Sequence, residues 1–431
     1  MKVTRLGLAT VGAVLALTIP AVAQANEVTN WNTIALNTVL AQPPIGSSAN
    51  SSAVFMAMTQ GAVYGAVNAI DRHGRPYLVQ RRFPMASLDA AIATAAYRVL
   101  ETTFPAQHAR LEAQYDISLG NIPNGSLEDT GVAVGEAAAA AMLAEGHDAR
   151  AAVPCAIGSF VAGVWQPLAD STGAPICDPS AWVRDASTFL VRSASQFRTA
   201  GQYALDSAAY ARDYDEVKEL GSVDSATRGT LKTHLAPFWQ SNPAPNYNLL
   251  AQRFVAEKSL DTRDSALLFA MIDLNAADAI ITAWNDKYAR LFWRPMAAIR
   301  HGGDDGNPAT DGDPTWTPLF NPLLPASIGG AGPPLSTPPY PEHPSGAVSY
   351  ASSTMHAFQT FFGTDEESFY VTSSRFPGEQ LHFDRFSDLV DQVVEARIWA
   401  GIHFRNADLQ AADLGREVEA WTHTHQFAFV H

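Results

Sequence analysis

Lys287-Tyr288-Ala289-Arg290-Leu291-Phe292-Trp293-Arg294-Pro295 closes a long helical pattern that runs from Arg263 to Arg290, and it places two cations seven residues apart just ahead of a proline. On a continuous α-helix, seven residues are two turns, about 20° off one face and roughly 10.5 Å along it, so both side chains could converge on one anion. Pro295 biases Arg294 away from the α region, and a helix end there would turn its guanidinium into a cavity. Two further segments complete the set. Pro344-Ser345-Gly346 opens the small-residue run Ala347-Val348-Ser349-Tyr350-Ala351-Ser352-Ser353, which reads as a helix start, where free N–H groups and the macrodipole hold anions. Arg397 and His403 lie six apart, and Gly401 between them can end a helix and return His403 to the side Arg397 faces. Alone, each segment reads more readily as something ordinary: a solvated basic face, a serine N-cap, a buried histidine. Together they supply three cations, a hydroxyl, a glycine amide and an imidazole, which suits a tetrahedral oxyanion with one nitrogen ligand on its central atom.

The rest of the chain is helical by period. Ala53–Ile70, Leu88–Phe104, Ala106–Leu119, Leu127–Ala144, Ser207–Leu220, Ser225–Phe238, Tyr247–Lys258, Gly346–Phe362, Phe386–Ala400 and Asp408–Thr424 all follow the 3.6-residue pattern, with almost no strand alternation. Two irregular stretches interrupt it, Gly146–Trp182 and the Pro/Gly/Asp-rich Gly302–Pro344. A loop of about forty residues inside a compact domain tends to be functional.

Residues 1–25 carry Lys2 and Arg5, an apolar run from Leu6 and the small-residue site Ala21-Val22-Ala23-Gln24-Ala25, the pattern of a secretory signal peptide. The expectation is an exported protein, periplasmic or extracellular, with no membrane span in its mature form. Removing Lys2 and Arg5 takes the formal charge from −15 to −17, which argues against nucleic-acid and anionic-membrane partners. Export also implies an oxidising compartment, so Cys155 and Cys177 are expected to form a disulfide. The mature length is too great for one simple bundle. An all-α chain of two packed bundles is expected, residues 26–225 with the disulfide-bearing connection and residues 226–431 with the oxyanion site.

At this point the chain resembles the vanadium-dependent haloperoxidases, secreted bacterial branch, and the acid phosphatases that share their site. The family pattern Lys-x6-Arg-Pro, Pro-Ser-Gly-His, Arg-x5-His is met by Lys287/Arg294/Pro295, Pro344/Ser345/Gly346 and Arg397/His403. Trp31-Asn32, Ala66-Val67-Asn68-Ala69-Ile70-Asp71, Ser195-Gln196-Phe197-Arg198, Phe292-Trp293 and Gly401-Ile402-His403-Phe404 extend the likeness along the chain. The resemblance implies two four-helix bundles of the vanadium chloroperoxidase type. It implies a vanadate bound through His403 and hydrogen-bonded by Lys287, Arg294, Ser345, Gly346 and Arg397, in a cage that phosphate or sulfate also fits. It further implies hydrogen peroxide, a halide and a small organic acceptor as reactants. Trp284 matches a halide-pocket tryptophan, Tyr340 takes a slot where chloroperoxidases have Phe, and His343 lies on the same loop. One position departs from the pattern: Ala347 stands where the family has an acid/base histidine. General acid–base help is worth ~10²–10⁴-fold, so its loss should slow the reaction rather than forbid it. Two alternatives follow, an acid phosphatase with His403 as nucleophile and an oxyanion-binding protein that has lost catalysis.

The acids Asp304, Asp305, Asp311 and Asp313 fail the calcium-loop spacing and read as a solvated acidic loop. Asp278 and Asp286 are placed to orient site cations or to face solvent.

Overall fold

The computed structural model describes residues 26–43, 48–72, 74–151, 153 and 159–428. Residues 1–25 and Cys155 fall outside that set, and with them the expected signal peptide and the Cys155–Cys177 bridge.

The chain is mostly helical. The N-terminal group comprises α1 (Glu27–Leu40), α2 (Ala49–Ile70), α3 (Leu88–Thr103), α4 (His108–Gly120) and α5 (Ser126–Ala144). After the irregular connection come α6 (Ala208–Leu220), α7 (Gly229–Phe238), α8 (Pro243–Glu257), α9 (Thr262–Arg290), α10 (Pro295–Arg300) and the short α11 (Ala326–Gly329). The C-terminal group is α12 (Gly346–Phe362), α13 (Phe386–Trp399) and α14 (Arg405–Thr422). Starts follow capping chemistry. Asn26 accepts from Thr29 N at 3.0 Å, Ser87 from Ala90 N at 3.3 Å, and Asp261 from Asp264 N at 2.8 Å. Helix α7 begins at Gly229 rather than at Ser225, whose hydroxyl instead accepts from Arg228 N at 3.1 Å.

Helix α9 is the axis of the fold. Its 29 residues span about 44 Å, and it packs against α2 on one side and α12 and α14 on the other. α2 and α9 are both long and apolar enough to cross a membrane, and both are buried along almost their whole length inside the protein. α3 packs on α5, α2 and α4, and α12 on α13 and α14, so two helical groups share α9 and a continuous core from Val28 to Phe427.

Helices α1, α10 and α11 and a β-hairpin were not anticipated. α1 precedes the first expected helix. A two-stranded antiparallel hairpin, β1 (Glu366–Thr372) and β2 (Gln380–Arg385), pairs Phe369 with Phe383 and Tyr370 with His382. Phe369 and Phe383 face the core, where Phe369 meets Phe386 and Phe254.

The forty-residue loop is built rather than loose. Trp316, Leu319, Phe320 and Leu335 are buried, and the segment returns to the end of α9 through Tyr340–Pro344. Its acids close local turns, Asp305 accepting from Thr310 Oγ1 at 2.7 Å and Asp313 from Thr315 N at 2.9 Å. No cluster of metal-ligating side chains occurs among the described residues.

Candidate active site

The three sequence segments meet where α9, α12 and α13 end or begin. Leu291, left-handed at φ 53°, stops α9 one turn after Lys287. The chain then extends, and Arg294 is the N-cap of α10 at φ −82°, ψ 155°. Lys287 and Arg294 therefore do not share a helix face, and their convergence comes from the turn between them. Arg397 occupies the last turn of α13. Gly401 follows at φ +76°, with Gly221 O only 2.5 Å from where a Cβ would stand, so only glycine reverses the chain there and delivers His403.

The cations are buried and bonded to backbone carbonyls. Lys287 Nζ donates to Pro341 O at 3.1 Å and Glu342 O at 2.8 Å, and it lies 5.4 Å from the ring centres of both Trp284 and Tyr340. Arg294 donates to Tyr340 O at 2.9 Å and Ile402 O at 2.8 Å, its guanidinium over the Tyr340 ring. Arg397 Nη1 donates to Gln240 Oε1 at 2.6 Å, while its Nε is buried without a partner. Burial, followed by Arg294, drives the Lys287 pKa well below that of an ordinary lysine, and burial also lowers Arg294 and Arg397. Cations packed so closely leave a positive potential that an anion would relieve.

Ser345 sits at the N-cap of α12 but does not cap it. Among the described residues its buried hydroxyl bonds no backbone group and interacts with the carboxylate of Asp408, whose pKa burial drives well above the ordinary value. Gly346 opens the helix, so its N–H has no intrahelical acceptor. A Cβ there would stand 2.3 Å from the Trp284 ring, so glycine is required for α12 to approach α9 this closely.

His403 is held from both sides. Arg294 Nη1, always a donor, points at His403 Nε2 at 3.1 Å, so Nε2 carries a lone pair and Nδ1 carries the hydrogen, which it donates to Glu342 Oε1 at 2.8 Å. Phe404 N donates to the same oxygen at 3.0 Å. Burial first, then Arg294, Lys287 and Arg397, lowers the His403 pKa well below 6.5, so the ring is neutral at physiological pH. Glu342 fixes the tautomer that offers Nε2 to a ligand. Replacing Glu342 with Leu should weaken orthovanadate binding about ten- to a hundredfold, with Glu342→Gln much milder because it keeps an acceptor for Nδ1–H. Equilibrium dialysis measures this, and equal affinities for wild type and Leu variant would show that Glu342 does not orient the ring.

A hydroxyl free of backbone partners, an unpartnered guanidinium nitrogen, an open helix-start amide, buried cations and an unprotonated imidazole nitrogen fit a tetrahedral oxyanion. A cavity of about 470 Å³ leads to them, lined by Trp284, Tyr340, Gly346, Ala347, Arg397 and His403. Trp284 and Tyr340 pack with ring centres 5.0 Å apart, and Trp284 Nε1 donates to buried Asp178 at 2.9 Å. Ala347 is half-buried on the cavity wall.

His343 does not line this cavity. It borders a smaller one of about 200 Å³ with Tyr210, Asp213 and Asn406. Thr199 Oγ1 donates to Asp286 Oδ2 at 2.6 Å and so accepts from His343 Nε2 at 2.8 Å, leaving Nδ1 buried and unpartnered. Burial, then Lys287 and Arg290, lowers the His343 pKa to about 3. The unfolded chain, near 6.5, therefore takes up this proton first, and the histidine's contribution to stability, complete above pH 6.5, drains away as pH falls toward 3. Between pH 6.5 and 4.5 wild type should lose about 2–3 kcal/mol more than His343→Gln in urea unfolding. Parallel losses would place the proton elsewhere.

Asp278 and Asp286 bond no site cation. Asp278 accepts from the backbone of Phe189, Leu190 and Val191 and pins that strap, and Asp286 holds Thr199 and Arg290. Glu342, Asp408 and Gln240 were missed by sequence reading. Glu342 lies two residues ahead of the quoted Pro344-Ser345-Gly346, where a carboxylate close to a helix-opening Pro-Ser-Gly was the available signal.

The fold is that of a helical-bundle protein in which three buried cations and one imidazole meet at one cavity. A family model described as the VCPO second helical-bundle domain matches residues 267–430. The vanadium chloroperoxidase of Curvularia inaequalis is 24% identical over 245 residues, 45% of this chain, and the match spans only 39% of that enzyme's length. A bacterial vanadium-dependent iodoperoxidase superposes with TM-score 0.72 at 20% identity, covering 93% of this chain and 96% of its own. A holo-type bacterial vanadium-dependent chloroperoxidase gives 0.65 at 18%, covering 90% and 95%. These structures establish the fold of the whole chain. Residues 267–430 thus match the second helical-bundle domain of that family, and the chain is similar in fold to bacterial vanadium haloperoxidases.

Proposed function

We propose that the protein is an exported vanadium-dependent haloperoxidase that oxidises a halide with hydrogen peroxide and halogenates a small organic acceptor. The observation that carries this reading is His403 Nε2, deprotonated and facing a cluster of buried cations beside the Ser345 hydroxyl. Bound vanadate would supply a Lewis acid that activates hydrogen peroxide for two-electron oxidation of a halide.

The chain's own residues do the rest. His403 offers Nε2 as the ligand, and Glu342 holds its ring in place. Lys287, Arg294 and Arg397 withdraw charge from the bound oxyanion, electrostatic preorganisation of the kind that is usually the largest catalytic term. Ser345 and the Gly346 N–H add neutral donors. To accept the ligand, Arg294 Nη1 must give up its bond to Nε2. Trp284 and Tyr340 form an apolar wall where a weakly hydrated halide can rest.

Phosphomonoester hydrolysis through His403 is the second reading, because phosphate has the charge and shape of vanadate. It needs an acid for the leaving group, and Ala347 provides none, which counts more against the phosphatase than against the peroxidase. Bromination of a dione dye at saturating orthovanadate and peroxide tests the proposal. Vanadate-dependent turnover supports it, and none at full loading, with p-nitrophenyl phosphate cleaved instead, would replace it by the phosphatase.

A further inference from the structure

We infer that Asp408 is a positioning residue of the cage: standing as the neutral acid, it donates its own hydrogen to Ser345 Oγ and so turns the Ser345 hydroxyl hydrogen toward a bound oxyanion. The inference rests on the oxyanion-cage reading proposed above. Asp408 lies in the first turn of α14, fully buried, with its carboxyl against the Ser345 hydroxyl.

Neighbouring buried carboxylates have strong donors. Asp178 accepts from Trp284 Nε1, Tyr288 OH and Ser180 N, and Asp278 from three backbone N–H groups. Asp286 accepts from Thr199 and Arg290, and Glu342 from His403 Nδ1 and Phe404 N. Among the described residues, no backbone N–H and no cation bonds either oxygen of Asp408. A buried carboxylate without such donors is costly, and the group takes up a proton instead. Lys287 of α9, Arg294 at the start of α10, Arg397 of α13 and Arg405 of its own helix favour the charged form, and Glu342 opposes it. Those cations are engaged elsewhere: Arg405 pairs with Glu216 and Glu395 at 2.7 Å, and the others bond carbonyl and amide oxygens. Burial outweighs them and lifts the Asp408 pKa well above the ordinary carboxylate value.

The state of Asp408 decides which way Ser345 faces. A hydroxyl has one hydrogen, and an ionised carboxylate only accepts. Beside an ionised Asp408, Ser345 would commit its hydrogen there and present lone pairs to the oxyanion. Beside the acid it accepts, and its hydrogen is free for the cage.

Equilibrium dialysis of orthovanadate on the vanadate-free protein tests this without turnover. Asp408→Asn keeps an N–H donor for Ser345 Oγ and carries no charge, so binding within about threefold of wild type at pH 7 is expected, whereas Asp408→Ala should bind about ten- to a hundredfold more weakly. In a Ser345→Ala background the Asp408→Ala loss should shrink to within about threefold, because the carboxyl acts through that hydroxyl. Asp408→Asn binding about tenfold tighter would show a carboxylate repelling the oxyanion in wild type, and an Asp408→Ala loss undiminished without Ser345 would show a role elsewhere; either overturns the inference. Infrared difference spectra of wild type on orthovanadate binding need no variant. A shifted carbonyl band of a protonated carboxyl, sensitive to deuterium exchange, is expected, and a difference spectrum without one would overturn the inference. Wild type that binds no orthovanadate sinks the cage reading and this inference together, whereas binding with either contrary variant result sinks this inference alone.

Discussion

His403→Ala is expected to lower vanadate-dependent bromination by about 10³-fold or more, a loss at least as large as removing an oxyanion-hole donor. Nε2 of His403 is the one unprotonated nitrogen pointing into the cation cluster among the described residues, and no neighbouring base is placed to substitute for it. The fold should survive. The substitution leaves Glu342 Oε1 still accepting from Phe404 N, so the structural cost is the loss of two buried hydrogen bonds, to Glu342 and from Arg294, and a ring-sized void, about 3–5 kcal/mol. Urea unfolding and turnover measured on the same sample separate the two effects. Turnover within tenfold of wild type at saturating orthovanadate would remove His403 from the ligand role and, with it, the tautomer argument built on Glu342.

Ala347→His is expected to raise halide oxidation by about 10²-fold, the lower end of what a positioned acid or base contributes. Position 347 is the second residue of α12, half-buried, and faces the cavity, so the new ring enters open space rather than the core. The helix N-terminus disfavours imidazolium there, which keeps the ring available as a base near neutral pH. The variant should therefore oxidise bromide faster. No gain in turnover would indicate that another group already supplies the proton path in the wild type.

Helical periodicity made most of the fold legible, because α2, α3, α5, α9, α12 and α13 bury long apolar faces. It failed where the burial pattern is short or mixed. In β1 only Phe369 and Val371 are buried, too few to register as alternation, and α1 mixes buried Asn32 and Thr38 with its apolar positions. At the site, six residues could be named because they recur in three compact segments with distinctive spacing. Lys287 and Arg294 were placed together for a partly mistaken reason, since Leu291 ends the helix between them. Glu342 was hidden because its partner His403 lies 61 residues on, and Gln240 because Arg397 lies 157 residues on. Side-chain pairs of that separation follow from tertiary packing, which no local pattern encodes. His343 shows the converse: its position on the loop beside the site suggested a role in the cavity, yet its ring turns to Thr199 and Asp286.

The central claim is that one oxyanion cage forms around His403 Nε2. The most direct test is an anomalous difference map at the vanadium edge from crystals of orthovanadate-loaded protein. A single peak bonded to Nε2 is expected, with Ser345 Oγ, Gly346 N, Lys287, Arg294 and Arg397 around it and the Arg294–His403 hydrogen bond broken. A loaded protein whose vanadium lies elsewhere, with that hydrogen bond intact, would contradict it.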